Sequence, residues 1–229
     1  GFRFGHSMVR SLYDFNRNFA PAQSNFLFVF TALTGQLGPA PKSPDGTDTF
    51  PDNWIIEWHR FLPINGSLPQ RARPVDPLLT EMLFSLKNVL GEVEVDNIAK
   101  HLAKRNLLRG YRFGLPTGQA FAAKLGAAPI EISQATTGLA DGVLQPFKDR
   151  TPLWLYILTE AKQNKGRLGA VGTHIVGETL ITLAQRSTPS IFNSDGSRNM
   201  TTKYKLADII NLAAIQDTEI AGAEPGRTA

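Results

Sequence analysis

Arg3 and His6 lie three residues apart in the first segment of the chain, FRFGHSMVRSLYDFN. In a helix this spacing puts the guanidinium and the imidazole on one face, and Phe2, Phe4 and Met8 supply apolar surface around that face. An imidazole can bind a metal centre, and a guanidinium pairs with a carboxylate in a planar fork. The pattern therefore predicts a site for a flat apolar ligand with an acidic edge, and haem is such a ligand.

The other three histidines do not form a site with one another. No two histidines are four residues apart, so the HxxxH pattern of a helical zinc site is absent. We interpret His59 as a surface residue, His101 as a solvated residue on an amphipathic helix, and His174 as packed against a backbone carbonyl in an apolar helix. His6 is therefore the candidate metal ligand.

A second motif follows in KRNLLRGYRFGLPTGQAF, where an asparagine precedes an arginine by three residues and a Gly-Leu-Pro sequence comes next. Together, in this order and spacing, the two motifs resemble the animal-type haem peroxidases, the family of myeloperoxidase, thyroid peroxidase and their bacterial relatives. LGAVGTHIVGETL resembles the late glycine-containing helix of that family. The resemblance covers nearly the whole chain and is patchy where Pro and Gly are frequent.

The resemblance implies a role for four residues. His6 would be the proximal ligand of the haem iron, and Asn106 would orient it by accepting the imidazole N–H through its side-chain oxygen. Arg3 and Arg109 would pair with the haem propionates. Because an amide is a milder acceptor than a carboxylate, Asn106 would push less electron density toward iron than an aspartate.

Arg3 also distinguishes two branches of the superfamily. In cyclooxygenases and fatty-acid dioxygenases, a radical-forming tyrosine stands three residues before the proximal histidine. The resemblance therefore implies a haem-dependent peroxidase that reduces hydrogen peroxide and oxidises a halide or a small organic donor. The four tyrosines are interpreted as packing residues: Tyr13, Tyr111, Tyr156 and Tyr204.

The matched motifs belong to the proximal side of the haem in this family. The distal histidine and arginine, a calcium-binding loop and acidic residues that can esterify haem come before the proximal helix there. We therefore expect the distal catalytic groups, and calcium if it is bound, in an N-terminal part of the same protein, which would be a partner of this chain.

The apolar patterns predict a mainly α, haem peroxidase-like fold with long irregular loops, incomplete because the distal half is absent. The proximal half is expected over residues 1–217. It divides into a proximal helix within residues 1–35, a Pro/Gly-rich excursion over residues 36–77 and a helical remainder over residues 78–217, and a flexible tail follows at 218–229. No run of alternating strands is predicted.

Several helices are predicted within these ranges. Residues 2–16 carry apolar side chains at helical spacings, and start signals stand at Pro77, at Asp96 and at Thr151 with Pro152. GRLGAVGTHIVGETLITLAQRS and KLADIINLAAIQ predict two later helices. The first of these contains small residues that would let another backbone approach closely: Gly169, Ala170, Gly172 and Gly177.

Composition excludes several kinds of site. The 24 Lys and Arg residues among 229 are not gathered with aromatic residues into a phosphate-binding groove, so nucleic-acid binding is not predicted. The absence of cysteine excludes disulfides, zinc thiolates and iron–sulfur clusters. The apolar run FLFVFTAL is far shorter than the ~20 residues of a membrane span. The compartment is left open by these residues.

Two alternatives remain open at this level. One is a homologue that binds haem without peroxidase turnover, or a relative that oxygenates lipids as a dioxygenase does. The other is a helical interaction module that does not bind haem. A Soret band in the purified protein would separate the second alternative from the haem proteins.

Overall fold

The computed structural model describes residues 2–18, 20–23, 56–84, 100–188, 190–198 and 205–221. Helices make up most of this part of the chain, so the prediction of a mainly α protein is confirmed. The seven described α-helices are α1 (Leu102–Arg112), α2 (Gly118–Lys124), α3 (Gln134–Thr137), α4 (Asp141–Leu144), α5 (Leu153–Gln163), α6 (Ala170–Arg186) and α7 (Leu206–Ala221).

Shorter elements connect these helices. An antiparallel pair joins β1 (Leu12–Tyr13) to β2 (Ala22–Gln23), with Leu12 opposite Gln23 and Tyr13 opposite Ala22. The described 3₁₀ helices are Phe2–Met8, Trp58–Arg60, Glu81–Phe84 and Gln145–Phe147.

Helix α5 is the centre of the described fold. It contacts α1, α2, α3, α6 and the N-terminal 3₁₀ helix Phe2–Met8. All residues from Leu155 to Ala161 are buried. The sequence LWLYILTEA is apolar around most of the helix circumference, which is typical of a helix surrounded by protein. Each large apolar side chain buried here contributes about 1.5–3 kcal/mol to folding.

Glu160 joins α5 to α6 through a buried carboxylate. Its oxygens accept the backbone N–H groups of Val171 at 3.0 Å and Gly172 at 2.9 Å. The first N–H groups of a helix have no partner within the helix, and the helix dipole favours a negative charge there. The carboxylate on α5 therefore accepts hydrogen bonds from N–H groups at the start of α6 that would otherwise have no partner.

Glycine makes this contact sterically possible. A Cβ at Gly169 would lie 2.3 Å from Glu160 Cγ, and one at Gly172 would lie 3.0 Å from Ile157 Cγ2. A close approach is therefore present at these two positions, but it is made by side chains and not by the backbone that was predicted. The prediction is wrong for Gly177, whose Cβ would meet no described atom within 4 Å, and for Ala170, which is exposed.

Helix α2 begins against the ring of Tyr156. This tyrosine is 0% exposed, its hydroxyl accepts the Ile130 N–H at 3.0 Å, and burial raises its pKa. The packing interpretation is therefore confirmed for Tyr156. It is wrong for Tyr111, which is 85% exposed. Tyr13 is half-buried beside Phe61, and Tyr204 lies outside the described residues.

The N-terminal segment departs from the helix predicted over residues 2–16. The 3₁₀ helix ends at Met8, and the chain continues through β1. Backbone bonds to distant segments replace helical ones: Arg73 donates to Met8 O at 3.1 Å, and Glu57 donates to Phe15 O at 2.9 Å. The predicted helix is therefore wrong beyond Met8. Residues 24–35 of its allotted range lie outside the described residues.

The predicted helix start at Asp96 lies outside the described residues, but the helix predicted to run on from it is interrupted. His101 has an extended backbone and is the N-cap of α1, with Nδ1 accepting the Lys104 N–H at 3.4 Å. The interpretation of His101 as a solvated helical residue is wrong, because its ring is half-buried and stacks on Phe84 at 4.7 Å. Burial and then Lys104 lower its pKa.

Two further start signals are displaced. Residues 77–80 are not helical, because the chain turns where the Leu78 N–H bonds to the Asp76 carboxylate at 2.8 Å; a short 3₁₀ helix follows from Glu81. Helix α5 begins at Leu153 with Pro152 as its N-cap. Thr151 does not cap it, because its hydroxyl donates to Phe147 O at 2.7 Å.

The two late helices are confirmed as α6 and α7. Helix α7 extends to Ala221, four residues into the range 218–229 for which a flexible tail is predicted. Residues 222–229 lie outside the described residues.

Within the described residues 56–77 of the Pro/Gly-rich excursion, only the 3₁₀ helix Trp58–Arg60 is regular, as predicted. An ion cluster ties this segment to the N-terminal one. The buried Glu57 carboxylate accepts Arg17 Nε at 2.5 Å and Arg60 Nε at 2.7 Å, and Arg60 also pairs with Asp14.

This cluster predicts a pH dependence of stability. Hydrogen bonds from Arg17 and Arg60 lower the pKa of Glu57 to about 2 from 4.5. A carboxyl whose folded pKa is depressed stabilises the fold above its unfolded pKa, and that contribution is lost as the pH falls toward the folded pKa. We expect the free energy of unfolding of Glu57→Gln to fall below wild type at neutral pH and to converge with it between about pH 4.5 and 2.

Urea unfolding at a series of pH values checks this expectation. Glu178→Gln, at an exposed glutamate of α6 with no described ion pair, is the matched control and should show no such convergence. A wild-type advantage over Glu57→Gln that is the same at pH 7 and at about pH 3 would contradict the assignment.

Candidate functional site

A cavity of about 670 Å³ lies between the N-terminal 3₁₀ helix, α1, α5 and α6. This volume is within the range of small-molecule and cofactor sites. Most of the wall is apolar or aromatic: Phe2, Phe4, Leu102, Gly110, Phe113, Leu115, Leu153, Trp154, Ile157, Ile175 and Val176. The remaining lining residues are Arg3, His6, Arg105, Asn106 and Arg109, so the cavity contains all four predicted site residues.

Helix α5 fixes the wall that carries His6. The Trp154 indole donates from Nε1 to the backbone oxygen of Arg3 at 3.1 Å, and Phe4 packs against two clusters of the core. The fully buried Ser7 donates its hydroxyl to Phe4 O at 3.0 Å. These contacts hold the short N-terminal 3₁₀ helix in one orientation, which its own few hydrogen bonds would not do.

A chain of hydrogen bonds joins the two sequence motifs. Asn106 lies within α1 and is 2% exposed. Its Oδ1 accepts Arg3 Nη1 at 2.7 Å, and its Nδ2 lies 2.9 Å from His6 Nδ1. Residues that are 100 positions apart in the sequence therefore meet through one buried amide.

The direction of the bond to His6 differs from the prediction. We expected the Asn106 oxygen to accept the imidazole N–H, but that oxygen faces Arg3 and the amide NH₂ faces His6. An amide NH₂ only donates, so Nδ1 of His6 is the acceptor and the proton of a neutral ring sits on Nε2. Arg3 explains this orientation of the amide. Its guanidinium can only donate, so it bonds to the amide oxygen of Asn106, and the NH₂ group is left to face His6.

His6 is held in its neutral form. Burial, followed by the positive charges of Arg3 and Arg105, lowers its pKa. Among the described residues no side chain or backbone group bonds to Nε2. A neutral imidazole with one edge held by protein is the form that binds metal ions in proteins.

Three guanidinium groups share the cavity. Arg3, Arg105 and Arg109 form no ion pair with a carboxylate of the described residues. Burial and then the charges of Arg109 and Arg105 lower the pKa of Arg3, which reflects how close the three cations lie. Such a cluster is electrostatically unfavourable until an anion enters it.

Arg105 was not predicted as a site residue. It precedes Asn106 and stands four residues before Arg109, so α1 presents both guanidinium groups on one face. This spacing was the signal in the sequence that could have identified it. Arg109 also lies over the Phe113 ring, with the guanidinium carbon 5.1 Å from the ring centroid, which keeps it at the cavity wall.

The other histidines lie away from this cavity. His59 is exposed and lies 3.9 Å from Glu57, which confirms its surface interpretation. His174 is exposed on α6, with its ring 6.1 Å from that of Phe121, so its predicted packing against a backbone carbonyl is wrong. Across the described ranges, no group of three or more His, Asp or Glu side chains could hold a metal ion by itself.

Comparison of the chain with known protein families, with characterised proteins and with solved structures gave no match. The resemblance to haem peroxidases therefore rests on the sequence motifs alone. In the part of the chain that the structure describes, no helix has the length and apolar character of a membrane span.

Proposed function

We propose that this chain is the proximal side of a haem-dependent peroxidase, in which His6 would be the protein ligand of the haem iron. The observation that supports this most strongly is the buried bridge from Arg3 through Asn106 to His6 at the wall of a large cavity. Few ligands need a single imidazole, arginine side chains and aromatic walls together, and haem is one that does.

The residues present fit such a group. His6 supplies one neutral imidazole, whereas a metal ion without a porphyrin would need several protein ligands, which the described residues do not offer. Most of the wall is apolar, as the burial of a porphyrin ring would require. The guanidinium groups that line the same cavity have no described carboxylate partners and could supply the charge that two propionates would need.

A bound haem would catalyse the two-electron reduction of hydrogen peroxide to water. A halide or a small organic donor would supply the two electrons. The task of this chain is to hold and orient that group. We propose that the distal histidine and arginine, with any calcium, lie in an N-terminal part of the same protein, as the family resemblance implies.

The proton on His6 must change position for the ring to act as a ligand through Nε2. A lone pair on Nε2 requires the proton on Nδ1, and Nδ1 must then donate to an acceptor. Asn106 can be that acceptor only when its amide rotates so that Oδ1 faces His6. Oδ1 has two lone pairs, so in that orientation it can accept the Nδ1–H of His6 and still accept an N–H of Arg3.

The proposal is tested by titrating the purified full-length protein with hemin. We expect a saturable Soret band at one haem per chain, together with oxidation of a small donor that depends on peroxide. A Soret band without peroxide-dependent oxidation would support the haem-binding homologue without turnover. A spectrum that shows no protein-bound haem would overturn the proposal and leave a helical interaction module.

A further inference from the structure

We infer that Arg105 and Arg109 of α1 form the clamp for the two haem carboxylates, and that Arg3 is a positioning residue for Asn106. This inference rests on the proposed function and deepens it. The family resemblance implies Arg3 and Arg109 as the propionate partners. Our inference replaces Arg3 in that role with Arg105, to which the resemblance gives no role.

Arg3 is already occupied by a buried partner. Its Nη1 donates to the Oδ1 atom of Asn106 at 2.7 Å, and Asn106 is 2% exposed. A buried amide oxygen that loses its only charged donor pays its full desolvation cost. Arg3 is also less exposed than Arg105 and Arg109. Its guanidinium is thus committed to the wall of the cavity.

Arg105 and Arg109 are free to take carboxylates. Both line the cavity, both are exposed, and neither has an ion-pair partner among the described residues. Like charges four residues apart on a helix repel each other. A ligand with two carboxylates on one edge removes that repulsion at both positions, and each guanidinium can bind one carboxylate through two parallel N–H groups.

The charge of Arg105 acts within the site. The pKa of His6 is lowered first by burial, then by the charge of Arg3 and then by that of Arg105. The pKa of Arg3 is lowered first by burial, then by the charge of Arg109 and then by that of Arg105. Arg112 belongs to the same helix and is exposed, but it does not line the cavity. It therefore provides a matched control for the substitution of an arginine in α1.

The clamp is tested by titrating the full-length protein with hemin and with its dimethyl ester, which lacks both carboxylates. We expect Arg105→Gln and Arg109→Gln each to weaken hemin binding roughly 10- to 100-fold, the range for one lost charge-assisted interaction. Neither should change the affinity for the dimethyl ester by more than about 2-fold. Arg112→Gln should leave both affinities unchanged.

Arg3→Gln separates positioning from clamping. If Arg3 is a positioning residue, its substitution should weaken the binding of hemin and of the dimethyl ester by the same factor. The ¹⁵N shifts of the His6 ring should then report a change in its tautomer. Arg105→Lys, which keeps the charge but loses the planar fork, should fall between wild type and Arg105→Gln. It also guards against a variant that does not fold.

Each remaining outcome decides the matter. One outcome is that Arg105→Gln binds hemin as tightly as wild type, while Arg3→Gln binds hemin more weakly but keeps its affinity for the dimethyl ester. The assignment of the clamp to Arg105 and Arg109 would then be wrong, and the proposed function would stand. If neither compound gives the Soret band of a protein-bound haem with the wild-type protein, both the clamp and the proposed function are overturned.

Discussion

The variant His6→Ala is expected to bind hemin more than roughly 100-fold more weakly than wild type. Loss of a residue that only orients a metal ligand typically costs 10- to 100-fold in affinity, so loss of the ligand itself should cost more. The Soret band should collapse toward that of free hemin. The cavity walls and the three guanidinium groups remain in this variant, so any residual binding measures what they contribute without the axial bond.

His174→Ala is the matched control, because His174 is exposed on α6 and lies outside the lining of the cavity. It should keep the wild-type Soret band. Added imidazole should restore part of the band in His6→Ala, since the vacated space lies at the wall of the same cavity. Retention of wild-type affinity by His6→Ala, with its circular dichroism unchanged, would rule out the axial role.

The second large effect is expected from Gly118→Ala. A Cβ at this position would lie 1.9 Å from Cγ of Tyr156, and the tyrosine is fully buried between α2 and its neighbours. The Gly118 N–H is bonded to Thr151 O at 2.9 Å and the Tyr156 hydroxyl accepts the Ile130 N–H at 3.0 Å, so a shift of either group to relieve the clash would disturb one of these bonds. We therefore expect a loss of at least about 3 kcal/mol in the free energy of unfolding, at the upper end of the range for overpacked cores. For a chain of this length that corresponds to a fall in Tm of at least about 6 °C.

Thermal and urea unfolding measure this effect. Gly177→Ala makes the same chemical change inside α6, where the new methyl group would meet no described atom within 4 Å. Alanine has the higher helix propensity, so this control should be stabilised by up to about 1 kcal/mol. Equal stabilities for the two variants would mean that Gly118 does not pack against Tyr156.

The sequence motifs identified residues that the fold brings together, but not how they interact. Spacing predicted that Arg3 and His6 share one face of a helix, and the family resemblance implied that Asn106 belongs to the same site. The direction of the amide could not be predicted, because it depends on which partner takes Oδ1, and that partner lies 103 residues from Asn106. Arg105 was missed because the resemblance implied only Arg3 and Arg109 as arginines of the site, although the four-residue spacing of Arg105 to Arg109 is visible in the sequence.

Periodicity was reliable for the long apolar helices and unreliable for the N-terminal segment. Helices α6 and α7 form over 17 and 16 residues where the apolar pattern predicts them, although some of their large apolar side chains, such as Leu180 and Leu206, are exposed. The segment after Met8 has the same kind of apolar spacing. It is extended because its backbone bonds to residues such as Arg73 and Glu57, and no local pattern shows such partners.

The contact between Glu160 and the start of α6 affects how a large ligand could enter. Separating α5 from α6 would strip a buried carboxylate of two N–H donors, a costly step. These two helices carry Leu153, Trp154, Ile157, Ile175 and Val176 on one side of the cavity. That side of the cavity is therefore rigid, so a large ligand has to enter without moving these two helices apart.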